Sequence, residues 1–169
     1  MQRNIIMRSQ VAQSIRGFLT EEGFLELSEQ QEKGTIIKEY EACCHRDRFP
    51  VIPGFPPVPA DCLMTKSIIP VIESAFRPFG KGRKAVRPLR EENSKYRMGE
   101  LYRTEILSCE DRGDKCFLKL RICKGFRHQI RCHLAWIGRP ILNDPLYCGG
   151  SCGSAEPGFL ALRASGIIF

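Results

Sequence analysis

Apolar residues recur first at helical and then at strand spacing. Between Ile5 and Leu27, Val11, Ile15, Phe18 and Leu19 fall on one helical face and Gly23 offers a stop, which predicts an amphipathic helix. "GTIIKEYEACC", from Gly34 to Cys44, is rich in β-formers. As a strand it sets Ile36, Lys38, Tyr40 and Ala42 on one face and Ile37, Glu39 and Glu41 on the other. The five prolines of "FPVIPGFPPVP" exclude regular structure from Phe49 to Pro59. From Phe76 to Arg97, glycine and proline are mixed with many lysines and arginines, which predicts an extended, mobile, cationic segment. It reads equally as a solvated loop and as an arm for a nucleic-acid backbone.

"ELYRTEILSCE" and "DKCFLKLRICKG" predict two strands joined at Asp111, Arg112 and Gly113. In the second, Leu118, Leu120 and Ile122 alternate with Phe117, Lys119 and Arg121, as in a sheet with one covered face. A short helix is then predicted from about His128 to Ile137, with Ile130, Leu134 and Ile137 as its buried stripe and Gly138 at its end. Arg127 and Arg131, four apart, are placed together on a neighbouring face. "RPILNDPLYCGG" is a turn-rich connection, "FLALRASGIIF" is another strand, and no internal repeat occurs.

Composition narrows the class. A chain of 169 residues, 43% hydrophobic, supports one ordinary core, so residues 1–169 are expected to form a single domain, read as a monomer. The excess of 26 Lys and Arg over 19 Asp and Glu gives a net charge of +7, which favours a polyanionic partner such as RNA. No apolar run reaches the roughly 20 residues of a membrane span, and "MQRNIIMRSQ" is charged where a signal peptide is apolar. A cytoplasmic protein without membrane contact is expected. Nine cysteines without a C-x-x-C pair read as free thiols in a reducing compartment. The nearest approach to a zinc set, Cys148 and Cys152 with His133 or His128, has the wrong spacing, so no metal site is expected.

The most specific signal is "HQIRCHLAWIGRPILNDPLY". It resembles the signature of the RluA-type RNA pseudouridine synthases, roughly H-Q-I-R-x-H-L-a-x-x-G-x-P-I-x-x-D-x-x-Y. His128, Gln129, Ile130, Arg131, His133, Leu134, Gly138, Pro140, Ile141, Asp144 and Tyr147 all stand in register. "KEYEA" is similar to the family's K-x-Y-x-A strand and "LALRAS" to its L-x-L-H-A strand. The resemblance implies an α+β fold, a mixed, mainly antiparallel sheet flanked by helices, with RNA in a cleft across the sheet. It implies isomerisation of uridine to pseudouridine in rRNA or tRNA, with an aspartate nucleophile and no cofactor. A flipped nucleotide in an apolar pocket is implied as well.

By the same resemblance, Tyr40 stacks on the uracil and helps remove the C5 proton, and Arg131 holds the nucleophilic carboxylate ionised. Lys38, Arg127, His128, Gln129, Ile130 and Leu162 support the site, His128 and Gln129 by ordering the helix start, while His133 reads as a hydrogen-bonded structural histidine. Arg77, Lys81, Arg83, Lys84 and Arg87 are the candidates for RNA backbone contacts.

The chain departs from the family pattern at several places. The nucleophile's H-R-[LI]-D motif does not occur; "HRD" at His45, Arg46 and Asp47 lies after Tyr40, so Asp47 reads as a loop carboxylate. The family's T-G-R-[TS]-H-Q-I-R stands here as Lys124 to Arg131, with Lys124, Phe126 and Arg127 altered, and Arg163 replaces the histidine of L-x-L-H-A. A catalytic domain incomplete at both ends is therefore expected, with little turnover by this chain alone. Deprived of the nucleophile, Arg131 is expected to turn to solvent, to an RNA phosphate or to a carboxylate such as Asp144. The alternative function is an inactive RNA-binding protein, for example a ribosome-associated factor. "RSQVAQSIRGFLTEEGFLEL" also resembles the first motif of class II aminoacyl-tRNA synthetases, but without its threonine-proline pair.

Overall fold

The computed structural model describes residues 33–62, 71–90, 99–148 and 158–168; the helix predicted between Ile5 and Leu27 lies outside them. Six strands form one sheet: β1 (Ile37–His45), β2 (Val71–Phe79), β3 (Ala85–Leu89), β4 (Tyr102–Arg112), β5 (Lys115–Ile122) and β6 (Leu162–Ile168). Their order is β3-β2-β4-β5-β1-β6, and every pairing is antiparallel. One helix, α1 (Gln129–Trp136), packs on this sheet, so the expected α+β class and largely antiparallel sheet are present. None of the described helices is long and apolar enough to cross a membrane.

Period-two alternation decides which face α1 covers. On β5, Cys116, Leu118, Leu120 and Ile122 are buried while Lys115, Phe117 and Lys119 are exposed. Tyr40 lies directly opposite Leu120 and Ala42 opposite Leu118, so the face of β1 carrying Tyr40 is the covered one. The opposite face is polar and paired: Glu39 accepts from Arg121, and Glu41 from Arg163, across the strands. The β4–β5 turn falls one residue later than expected, at Gly113 and Asp114. Gly113, at φ 62°, takes the first position of the two-residue turn, where a positive φ favours glycine.

The cationic stretch from Phe76 differs from the expected mobile segment. Through Leu89 it is a hairpin of β2 and β3, with Ala75, Val86 and Pro88 turned into the core; residues 91–98 lie outside the described ones. The prolines are compatible with strands because β2 pairs with β4 only through Val71–Ser74, leaving Pro78 a partner on one side, and β3 is an edge strand. Gly80 and Gly82, read as loosening the chain, instead supply the positive φ angles of the connection.

α1 departs from the single buried stripe. Gln129, Ile130, Cys132, His133, Leu134, Ala135 and Trp136 are all buried, leaving Arg131 as its half-buried member. The helix ends as its sequence predicts. Gly138 at φ 80° lets its N–H donate to the Ala135 carbonyl and the Arg139 N–H donate to the Leu134 carbonyl, the paired bonds of a Schellman motif. The missing side chain at Gly138 also matters, since a Cβ there would lie 2.8 Å from the Phe49 carbonyl oxygen.

Candidate functional site

The start of α1 is unusual. His128 precedes the helix in the left-handed region, φ 58° and ψ 18°, without capping it through its side chain. Gln129 instead fixes the approach to the helix: its Oε1 accepts from the Phe126 N–H at 2.9 Å, and its Nε2 donates to the Arg103 carbonyl at 2.9 Å and to Thr104 Oγ1 at 3.1 Å. The helix start is thereby tied to β4. A left-handed conformation in a non-glycine residue costs roughly 1–2 kcal/mol, so the surrounding bonds must hold it. Burial, together with Arg131 and Arg127, lowers the His128 pKa, which favours a neutral ring. Its Nδ1 is buried without a hydrogen-bond partner.

One turn further on, Arg131 finds its carboxylate. Its Nε donates to Asp144 Oδ2 at 2.8 Å and its Nη2 to Asp144 Oδ1 at 2.6 Å, with side-chain exposures of 15% and 0%. This two-pronged bond raises the Arg131 pKa. Oδ1 also accepts from the Leu146 and Tyr147 N–H groups, at 2.9 and 3.2 Å. With every one of these bonds directed at it, Asp144 is a sequestered anchor and not an exposed nucleophile. Of the three partners open to Arg131 in the sequence, the structure selects Asp144.

Asp144 belongs to the turn following α1, and Tyr147 carries the connection onward. The Tyr147 hydroxyl accepts from the Val86 N–H at 2.8 Å and donates to the Val86 carbonyl at 3.2 Å, clasping β3; burial pushes its pKa up to about 12. The Arg131 guanidinium sits 5.4 Å from the centre of the Tyr147 ring. A hollow of about 210 Å³ opens beside this ring, lined by Phe55, Phe79, Lys81, Lys84, Leu146 and Tyr147 among others. Two of the cations expected to make RNA backbone contacts, Lys81 and Lys84, therefore rim a hollow beside Tyr147.

The remaining predicted residues divide. Tyr40, half-buried, lies on the helix-covered face and packs against the core, as does Leu162 opposite Ala42. Lys38 follows Tyr40 on that face, opposite Ile122. Arg127 stands before α1 instead of within it; its Nη2 donates to the Arg83 carbonyl at 2.9 Å, binding the helix start to the cationic hairpin. Ile130, 5% exposed, and Gln129, 2% exposed, are interior residues and hold the site up from behind. Arg77 lies on β2; Arg83 lies in the connection just before β3, and Arg87 lies within β3 and donates to the Gly54 carbonyl at 2.7 Å. Asp47 is an exposed loop residue, as expected.

His133 is structural, as its neighbours make plain. It is fully enclosed, with Nε2 3.0 Å from Ser74 Oγ and Nδ1 2.8 Å from Thr104 Oγ1, so neither nitrogen remains for a metal. Burial lowers its pKa to about 3. No sequence spacing announces this Ser74–His133–Thr104 cluster, because it joins β2, α1 and β4. Among the cysteines, seven of the described ones are free thiols, whereas Cys148 is disulfide-bonded, a correction to the all-thiol reading. The larger groove, about 490 Å³, is lined by Glu41, Cys43, Ser108, Phe117, Leu162 and Arg163 among others, and includes neither Tyr40 nor Arg131.

No protein-family model matches the chain. A stretch of 41 residues is 51% identical to RNA pseudouridine synthase 5 of Arabidopsis thaliana, covering 24% of this chain and 11% of that protein. The fold matches that of human RNA Pseudouridylate Synthase Domain Containing 1 with a TM-score of 0.59 at 18% identity, over 88% of this chain and 56% of that one. A further human structure, RNA Pseudouridylate Synthase Domain Containing 4, aligns at 17% identity over 72% of this chain and 42% of its own, with a TM-score of 0.45 that bears no argument. The chain thus spans little more than half of the solved relative and a ninth of the curated one is matched. The chain is therefore similar in one 41-residue stretch to an RNA pseudouridine synthase, and its fold resembles that of a pseudouridylate synthase domain.

Proposed function

We propose that this chain forms the RNA-holding part of a site that isomerises uridine to pseudouridine in structured RNA, rRNA or tRNA. The observation that carries the reading is the junction at Tyr147, where Arg131 overlies the ring and Lys81 and Lys84 rim the adjoining hollow. Cations around an apolar, aromatic-lined hollow suit a stretch of RNA flanking the target nucleotide, with a neighbouring base against the rings and the phosphates on the lysines. Tyr40 stacks on the uracil and assists loss of the C5 proton, while Arg131, itself braced by Asp144, orients the nucleophilic aspartate. The H-R-[LI]-D motif that supplies this aspartate in the family is not found in the sequence. The test is to map pseudouridine in rRNA and tRNA treated with this chain and with the chain joined to an H-R-L-D segment from a relative. Conversion by the joined protein, lost on Tyr40→Phe, is expected; no conversion by either, with binding intact, leaves the enzyme reading without support.

One observation favours a second reading, an RNA binder without catalysis. Arg131 already holds a carboxylate in both arms of its fork, and Asp144 is too enclosed to attack a ribose or a base. In that case RNA affinity is retained and no uridine is converted under any condition, with Arg131→Met lowering affinity through loss of a cation.

A further inference from the structure

The β4–β5 hairpin carries a second, separate chemistry. Cys109 on β4 and Cys116 on β5 have their sulfurs 2.9 Å apart, less than 1 Å beyond the about 2.05 Å of a disulfide bond. Cys109 is opposite Leu118 and Cys116 opposite Asp111, so the two cysteines sit on one face along a diagonal of the ladder. They differ sharply in access: Cys109 is exposed, while Cys116 is 0% exposed and lies directly opposite the equally buried Cys44. Asp111 places a carboxylate within the same cluster, and Arg46 holds it at 3.5 Å.

We propose that Cys109 and Cys116 form a reversible thiol–disulfide site that reacts with low-molecular-weight disulfides such as glutathione disulfide. The exposed Cys109 attacks as thiolate, forming a Cys109–glutathione mixed disulfide and releasing one glutathione thiolate, which takes up a proton. Cys116 then attacks the Cys109 sulfur, forming the Cys109–Cys116 bond and expelling the second glutathione thiolate, which takes up the Cys116 proton as it leaves. The protein dithiol gives up two electrons, and one glutathione disulfide becomes two glutathione molecules. Burial raises the Cys116 thiol well above its ordinary range, which protects it from direct attack by solvent oxidants and leaves the first step to Cys109. Proximity then carries the second step, because the attacking sulfur is already in contact with its target.

The molecule contains its own control in Cys123, which is free and exposed. The native chain is to be incubated with glutathione disulfide, its remaining thiols alkylated, and its peptides identified by mass spectrometry. Cys123 is expected to retain glutathione, whereas Cys109 and Cys116 are expected in one linked pair, lighter by two hydrogens and restored by a reductant. In Cys116→Ser, Cys109 is expected to stop at the glutathione adduct. The proposal is overturned if native Cys109 stops there too, if it stays reduced while Cys123 reacts, or if Cys116 is recovered joined to Cys44. It is equally overturned if the pair reacts only after a chelator has stripped a metal ion from it.

Discussion

Arg131 and Asp144 form a buried pair in which each charge depends on the other. Removing one partner of such a pair typically costs about 3–5 kcal/mol, because the survivor stays enclosed and uncompensated. Arg131→Met and Asp144→Asn are each expected to lower unfolding free energy by about that amount, and the double variant by less than the sum. A double-mutant cycle in urea checks this, and strict additivity would mean that the two side chains do not sense each other. His133 gives a pH prediction. Its ordinary pKa of about 6.5 falls to about 3 in the fold, so the unfolded chain binds a proton that the native protein refuses. Stability is therefore full above about pH 6.5 and falls as the pH drops towards 3, by on the order of 5 kcal/mol at about 1.36 kcal/mol per unit. Urea titrations at stepped pH are expected to show this slope in the native chain and a clearly shallower one in His133→Gln, where of the two histidines with lowered pKa only His128 remains.

Turns and helix ends show how far an element follows from its local sequence. Gly138 and Gly113 both have left-handed φ angles, yet a Cβ at Gly138 would meet the Phe49 carbonyl while at Gly113 it would meet nothing within 4 Å. Gly113→Ala is expected to cost only the roughly 1–2 kcal/mol of backbone strain, and Gly138→Ala clearly more; thermal melts of the two compare them directly. The stop at Gly138 was legible because it needs only short-range bonds. The same holds for Leu118, Leu120 and Ile122, whose alternation names their buried face. It fails for α1, which reads as amphipathic over one stripe but is enclosed nearly all round, because β2, β3 and β4 supply neighbours that the helix does not encode. It fails also for β2 and β3, whose prolines and glycines resemble those of a loop until the one-sided pairing is known.

At the scale of the whole molecule, the excess of positive charge gathers use where the hairpin meets α1. Each phosphate neutralised by a cation steepens the fall of RNA affinity with salt. RNA binding is expected to weaken markedly from low to physiological salt, and Lys81→Ala with Lys84→Ala to flatten the log–log slope by about 2. Filter binding across a salt series measures it; an unchanged slope would remove the two lysines from the interface. The sequence by itself determined β1, β4, β5, α1 and β6 in their order, the covered face of β5, the end of α1, and a motif that resembles a family signature, since each is written in spacing or in a short run of fixed residues. Only the tertiary structure decided what Arg131 holds, that Tyr147 clasps β3, that Gln129, His133, Ser74 and Thr104 knit three elements together, and that Cys109 touches Cys116. These are contacts between residues far apart in the chain or diagonal across a ladder, and their energies depend on burial and on distances that no linear pattern specifies.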